Sequence, residues 1–212
     1  MPVYLLTDEL IFPDPRLAEQ GVLAVGGDLS PDRLLLAYQN GIFPWFSEGD
    51  PIIWHAPDPR FVLFPKKFKV SKSLKKLIDS ELYYCTFNED FPNVIRNCKD
   101  IFRKDQESSW ITDEMLNAYT ELHRLGFAYS IEVWNKDDQL VGGLYGIMLG
   151  QVFFGESMFS KETGASKIAI HFLVNSFDIK MIDAQVHTEY LESLGAEFIT
   201  LDEFLFLLNQ FI

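Results

Sequence analysis

Three polar side chains in apolar surroundings carry the first chemical signal in this sequence. In "KMIDAQV" a two-residue period puts Met181, Asp183 and Gln185 on one strand face and Ile182, Ala184 and Val186 on the other, so a carboxylate and an amide are expected to point the same way. In "VFFGESMFS" the single ionisable residue, Glu156, stands among Phe153, Phe154, Met158 and Phe159. A carboxylate there is costly unless it is paired or used. Two acids and an amide in such a setting mark a candidate functional site. Taken alone, Asp183 and Gln185 read more readily as a solvated strand face or a capping acid, and it is the second acid, Glu156, that weighs against this.

Gly155 is expected to mark a β-bulge that turns Phe153 and Glu156 toward the same side. In the next helical stretch Leu173 and Phe177 are i, i+4 partners with Ile170 a turn earlier, so an apolar face is ready to meet that strand. The expectation is a pocket with apolar walls and an acidic mouth. Ordinary core packing competes with it, and periodicity does not separate the two.

Two other stretches bear on ligands. "GIFPWFSEGDPIIWHAPDPR" sets Trp45 and Trp54 in a proline-rich region, where each either stacks on a base or joins a small lobe to a larger one. "PKKFKVSKSLKKL" carries Lys66, Lys67, Lys69, Lys72, Lys75 and Lys76. Net charge is −13, yet Arg60 to Lys76 holds seven basic residues and no acid, which leaves the remainder near −20. In so acidic a chain a purely basic stretch points to phosphates, as in an RNA backbone.

Other signatures are missing. His55, His123, His171 and His187 show no metal-ligand spacing, and there is no nucleophile elbow or phosphate-cradling loop, so neither metal nor cofactor is expected. Cys85 and Cys98 are too few for a disulfide framework or a zinc site and read as reduced core thiols, which points to the cytoplasm. "MPVYLLTDELIFPDP" has no basic start, and no apolar run reaches membrane-spanning length, so neither a signal peptide nor a membrane partner is expected.

The elements that must position these residues follow from the punctuation. Nine of the ten prolines fall by residue 65, so residues 1–60 read as a small, turn-rich lobe. Its one clear helix is capped by Ser30, begins at Pro31 and is stopped by Gly41; loops are expected around it. Residues 61–212 read as an α+β domain: a strand at 60–64, a helix from Ser71, a strand at 82–87, helices from Asn88 and Thr112, then a three-stranded antiparallel meander from Phe127 to Phe159. A helix at about 164–178, the strand "KMIDAQV", a short helix from Thr188, the strand "AEFI" and a last helix behind the capping box "TLDE" complete it. A meander followed by helix, strand, helix, strand is the order of acetyltransferase-like (GNAT-type) domains.

Several long blocks then carry a resemblance. "GGDLSPDRLLLAYQNGIFPWFSEGDPIIWHAPDPR", "WIT", "GFAYSIEVW", "LVGGLYGIMLGQVFFGESMFS", "ASK" and "IDAQV" followed by "LESLGA" closely resemble the bacterial leucyl/phenylalanyl-tRNA–protein transferases, over nearly the whole chain. The resemblance implies an enzyme that moves leucine or phenylalanine from aminoacyl-tRNA to the N-terminal Arg or Lys of a protein, marking that protein for degradation. It also implies a GNAT-like domain that has abandoned acetyl-CoA, and a monomer is expected.

Carried over by motif, the transferred side chain would sit among Leu144, Phe153, Met158, Leu173, Phe177 and Ile182. The terminal adenosine would lie against Trp45 and Trp110, with Tyr119 nearby. Glu156, Asp183 and Gln185 would face the reacting amine and the acceptor's basic side chain, and the lysine run would meet the acceptor stem. Leu173 stands where relatives can carry an aromatic, which bears on the choice between Leu and Phe. Two rival readings remain: an acyl-CoA-dependent N-acyltransferase, for which "KETGASK" offers a single glycine where a pyrophosphate turn is needed, and a non-catalytic module that binds tRNA or N-terminal peptides.

Overall fold

The computed structural model describes residues 3–101 and 111–212. Helix α1 (Pro31–Gln39) starts where the Ser30 side chain accepts the Arg33 amide and Pro31 supplies a preset φ. It stops at Gly41, whose φ of +72° ends the helical run. Its buried residues are Arg33, Leu34, Ala37 and Tyr38.

Around α1 the structure corrects the expectation of loops. Strands β1 (Tyr4–Leu6), β2 (Val22–Gly26), β3 (Phe43–Pro44) and β4 (Ile53–His55) form a four-stranded sheet in the order β1-β2-β4-β3. Segments of two to five residues between prolines are too short to show a two-residue period.

The larger sheet has seven strands: β5 (Arg60–Leu63), β6 (Tyr83–Phe87), β7 (Ala128–Asn135), β8 (Leu140–Leu149), β9 (Val152–Ser160), β10 (Met181–Gln185) and β11 (Glu197–Ile199). Their order is β11-β5-β10-β9-β8-β7-β6. The expected meander is β7 to β9, all antiparallel, while β10 joins β9 in parallel and β5 antiparallel. Helices α2 (Lys72–Asp79), α3 (Phe91–Asp100), α4 (Asp113–Arg124), α5 (Ala165–Ser176), α6 (Glu189–Ser193) and α7 (Leu201–Phe211) complete the α+β fold. The "TLDE" cap forms, with the Thr200 hydroxyl accepting the Glu203 amide at 3.1 Å.

Helix α5 packs on one face of the large sheet and α3 with α4 on the other. The α3/α4 cluster runs on into the small sheet, α1 and α7, so Tyr38, Trp54, Phe154 and Phe204 belong to one continuous core. Trp54 is fully buried, donates its indole N–H to the Gly26 carbonyl at 2.9 Å and meets Phe12 edge-on. It is spent on packing and offers no face to a base. Burying a large apolar side chain of this kind is worth roughly 1.5–3 kcal/mol. Among the described residues no helix is long and apolar enough to cross a membrane.

Candidate active site

Two backbone irregularities build the site. Strand β9 pairs Gly155 with Gly146 but Ser157 with Tyr145, so Glu156 is the extra residue of a β-bulge, as Gly155 led us to expect. The partner position must be glycine, because a Cβ on Gly146 would run into the Phe154 carbonyl oxygen. Parallel pairing between β9 and β10 ends at Asp183 and Phe154, although β9 continues to Ser160. The two strands part there, and a wedge opens between them.

Strand β10 carries the second irregularity. Gln185 has φ +64°, and the register against β5 shifts between Asp183 and Gln185. The expected two-residue alternation therefore breaks, which corrects the reading that Asp183 and Gln185 share a face. Ile182, Ala184, Gln185 and Val186 line the wedge, and Asp183 does not. Asp183 is fully buried, with Oδ1 accepting Arg60 Nε at 2.8 Å and Oδ2 accepting Arg60 Nη2 at 2.6 Å. Its Oδ1 also accepts the backbone N–H of Gln185 at 2.9 Å.

Gln185 spans the wedge. Its Nε2 donates to Glu156 Oε1 at 2.9 Å, Tyr38 donates to the same oxygen at 2.7 Å, and Tyr119 donates to Oε2 at 2.9 Å. The two tyrosine hydroxyls also touch each other. Glu156 is 7% exposed, and its pKa is pushed up to about 7. Burial is the largest cause; hydrogen bonds from Tyr38, Tyr119 and Gln185 oppose it, and the Asp183 charge adds to it. Burial, and then the Glu156 charge, holds both tyrosines neutral.

The wedge holds a cavity of about 350 Å³, the size of small-ligand sites. Leu144, Phe153, Met158, Leu173 and Ile182 line it, as expected, with Ile170 beside them. Phe177 does not, which is a correction: α5 ends at Ser176, Phe177 is extended at φ −128°, and its ring packs on Phe87 at 4.6 Å. Helical spacing no longer applied to it.

Trp45 lines the mouth and is 40% exposed. Trp110 lies outside the described residues. Tyr119 is corrected as a surface for a base: it is fully buried, and its hydroxyl is spent on Glu156 and Tyr38. The six lysines lie on and just after the turn Pro65–Lys67 and on α2, and among the described residues only Lys67 of the six makes an ion pair, with Glu197.

Tyr38 and Arg60 escaped the sequence reading. Tyr38 sat on the buried face of α1, where a hydroxyl needs a partner. Arg60 opened the otherwise apolar "RFVL", and a charge at the start of a buried strand was the available signal. Among the described residues no cluster of His, Cys, Asp and Glu is placed to hold a metal.

Comparison with known proteins bears on what this wedge is. The family model described as leucyl/phenylalanyl-tRNA protein transferase matches residues 62–209, and that of the same family's N-terminal domain matches 27–58. A leucyl/phenylalanyl-tRNA–protein transferase of Syntrophobacter fumaroxidans is 51% identical over 99% of this chain and 91% of its own length. One from Flavobacterium johnsoniae is 51% identical over 98% of this chain and all of its own. Among solved structures, a GCN5-related N-acetyltransferase from Kribbella flavida aligns with a TM-score of 0.40 at 10% identity, over 80% of this chain and 61% of that one. So low a score leaves the strand order to speak for the fold. On identity across both of its parts, this chain belongs to the leucyl/phenylalanyl-tRNA protein transferase family.

Proposed function

We propose that this protein transfers leucine or phenylalanine from aminoacyl-tRNA to the N-terminal Arg or Lys of other proteins, as a cytoplasmic monomer, and so marks them for degradation. The observation that carries the reading is the apolar cavity in the β9/β10 wedge, closed at one edge by the Glu156–Gln185 bridge. The aliphatic or aromatic side chain of the donor occupies the cavity against Leu144, Met158, Leu173 and Ile182. Its ester carbonyl then lies at the bridge, and the adenosine rests on Trp45 at the mouth.

In the reaction the acceptor's α-amine attacks the ester carbonyl, a C–N bond forms, the C–O bond to the ribose breaks, and the departing ribose oxygen takes the proton that the attacking nitrogen gives up. The α-ammonium, with a pKa near 7.7–8.0, must first lose a proton. Glu156, pushed up to about 7, is matched to take it. Three of its four lone-pair sites are occupied, which leaves one open. Asp183 is already engaged with Arg60, so it acts through Gln185. Gln185 orients the amine. Positioning of this kind contributes as much as about 7–11 kcal/mol in well-oriented systems, sufficient for an already activated ester. The lysines of the Pro65–Lys67 turn and of α2 hold the tRNA backbone.

Incubation with labelled leucyl-tRNA and peptides beginning with Arg, Lys or Ala tests the reading. The expected result is label in the Arg and Lys peptides and none in the Ala peptide. No transfer to any peptide, or consumption of an acyl-CoA in its place, would contradict it.

A further inference from the structure

We infer that Arg60 is a positioning residue whose forked ion pair with Asp183 holds the kinked end of β10 in the one conformation that aims the Gln185 amide at Glu156. The inference rests on the reading of the wedge as the transfer site.

Three observations lead to it. First, the backbone at Gln185 has φ +64°, a conformation that costs a non-glycine residue free energy and persists only where the surroundings impose it. What imposes it is Asp183 Oδ1, which accepts the Gln185 backbone N–H at 2.9 Å. Secondly, that carboxylate is itself held by Arg60 through two parallel bonds, Nε to Oδ1 at 2.8 Å and Nη2 to Oδ2 at 2.6 Å, a geometry that fixes its plane. Thirdly, the guanidinium is clamped between Phe43 of β3 and Phe204 of α7, each ring centre 4.7 Å away. The small lobe and the last helix thus grip the group that sets the wedge's polar edge.

Stability alone does not explain the pair. Both residues are fully buried, and Arg60 Nη1 has no hydrogen-bond partner among the described residues. Buried ion pairs of this kind commonly give no net gain over apolar residues of similar volume. An orienting role accounts for retaining it. Lysine would keep the charge and lose the fork, so it separates charge from geometry.

The test compares wild type with Arg60→Lys by steady-state transfer and by NMR of the 15N-labelled Gln185 side-chain amide, identified by its loss in Gln185→Ala. The inference expects a retained fold, KM values for leucyl-tRNA and Arg peptide within about threefold, and kcat lowered about 10- to 100-fold. The Gln185 amide protons should lose their protection from exchange. Unchanged kcat with a protected amide overturns it, and so does lowered thermal stability with a protected amide, since that is a structural role alone. If Arg60→Lys does not fold, Arg60→Gln, which can donate to one oxygen of Asp183 and cannot make the fork, takes its place, and the same two outcomes decide. A wild-type protein that transfers no leucine sinks the functional reading, and the amide measurement still decides the role of Arg60.

Discussion

A carboxylate that accepts three hydrogen bonds is ordinarily held ionised; at Glu156 the loss of water outweighs them and the pKa rises to about 7. The linkage has a definite sign. The folded pKa lies above the ordinary value of 4.5, so the stability contributed by the protonated group is complete below about pH 4.5 and is lost as pH rises through about 7. The difference amounts to roughly 3 kcal/mol. Glu156→Gln carries no such term, so its unfolding free energy relative to wild type should improve by about that much between about pH 4 and pH 9. Denaturant titrations at both ends measure it; a constant difference would deny the shift. Activity should move the other way. Glu156→Gln should lose about 100-fold in kcat/KM together with the inflection near pH 7, keeping only the one near 7.7–8.0 that belongs to the acceptor amine. Glu156 was legible in the sequence because an acid in an apolar strand is conspicuous. Asp183 was misread because a left-handed residue two positions on reversed the alternation, and residue types alone do not announce a positive φ at a glutamine.

At the scale of elements, the site depends on β9 and β10 parting company, and the β9 bulge opposite Gly146 is what places Glu156 at their junction. Gly146→Ala would force a Cβ against the Phe154 carbonyl and the Phe153 ring. The expected cost is about 1–3 kcal/mol of stability from overpacking, with a larger loss of transfer than of tRNA binding. Thermal melts measure the first, and transfer assays beside filter binding measure the second; equal losses of transfer and binding would detach the bulge from catalysis. The long elements were readable from sequence because their caps and periods are strong, as with Thr112 before α4 and Thr200 before α7. The helix boundary at Phe177 was not, since an apolar residue four positions past Leu173 looks helical until tertiary packing on Phe87 claims it.

At the scale of the whole molecule, charge and apolar surface are divided: a lysine-bearing turn and helix stand apart in an acidic chain. Replacing Lys66, Lys67, Lys72 and Lys76 by Ala should flatten the dependence of log K for tRNA on log salt by about 3, since each phosphate a lysine neutralises adds about 0.7–0.9 to the slope. An unchanged slope would refute the basic surface. The lobe's part in the site, through Tyr38 and Trp45, was only partly legible, because Tyr38 meets Glu156 across 118 positions of sequence. The central claim is that the donor's side chain lies in the β9/β10 wedge, and a crystal structure with an amide-linked, non-hydrolysable leucyl-adenosine tests it most directly. The leucine should pack on Met158, Leu173 and Ile182 with its carbonyl carbon beside Gln185. An analogue bound elsewhere, with the wedge unfilled, would contradict the account.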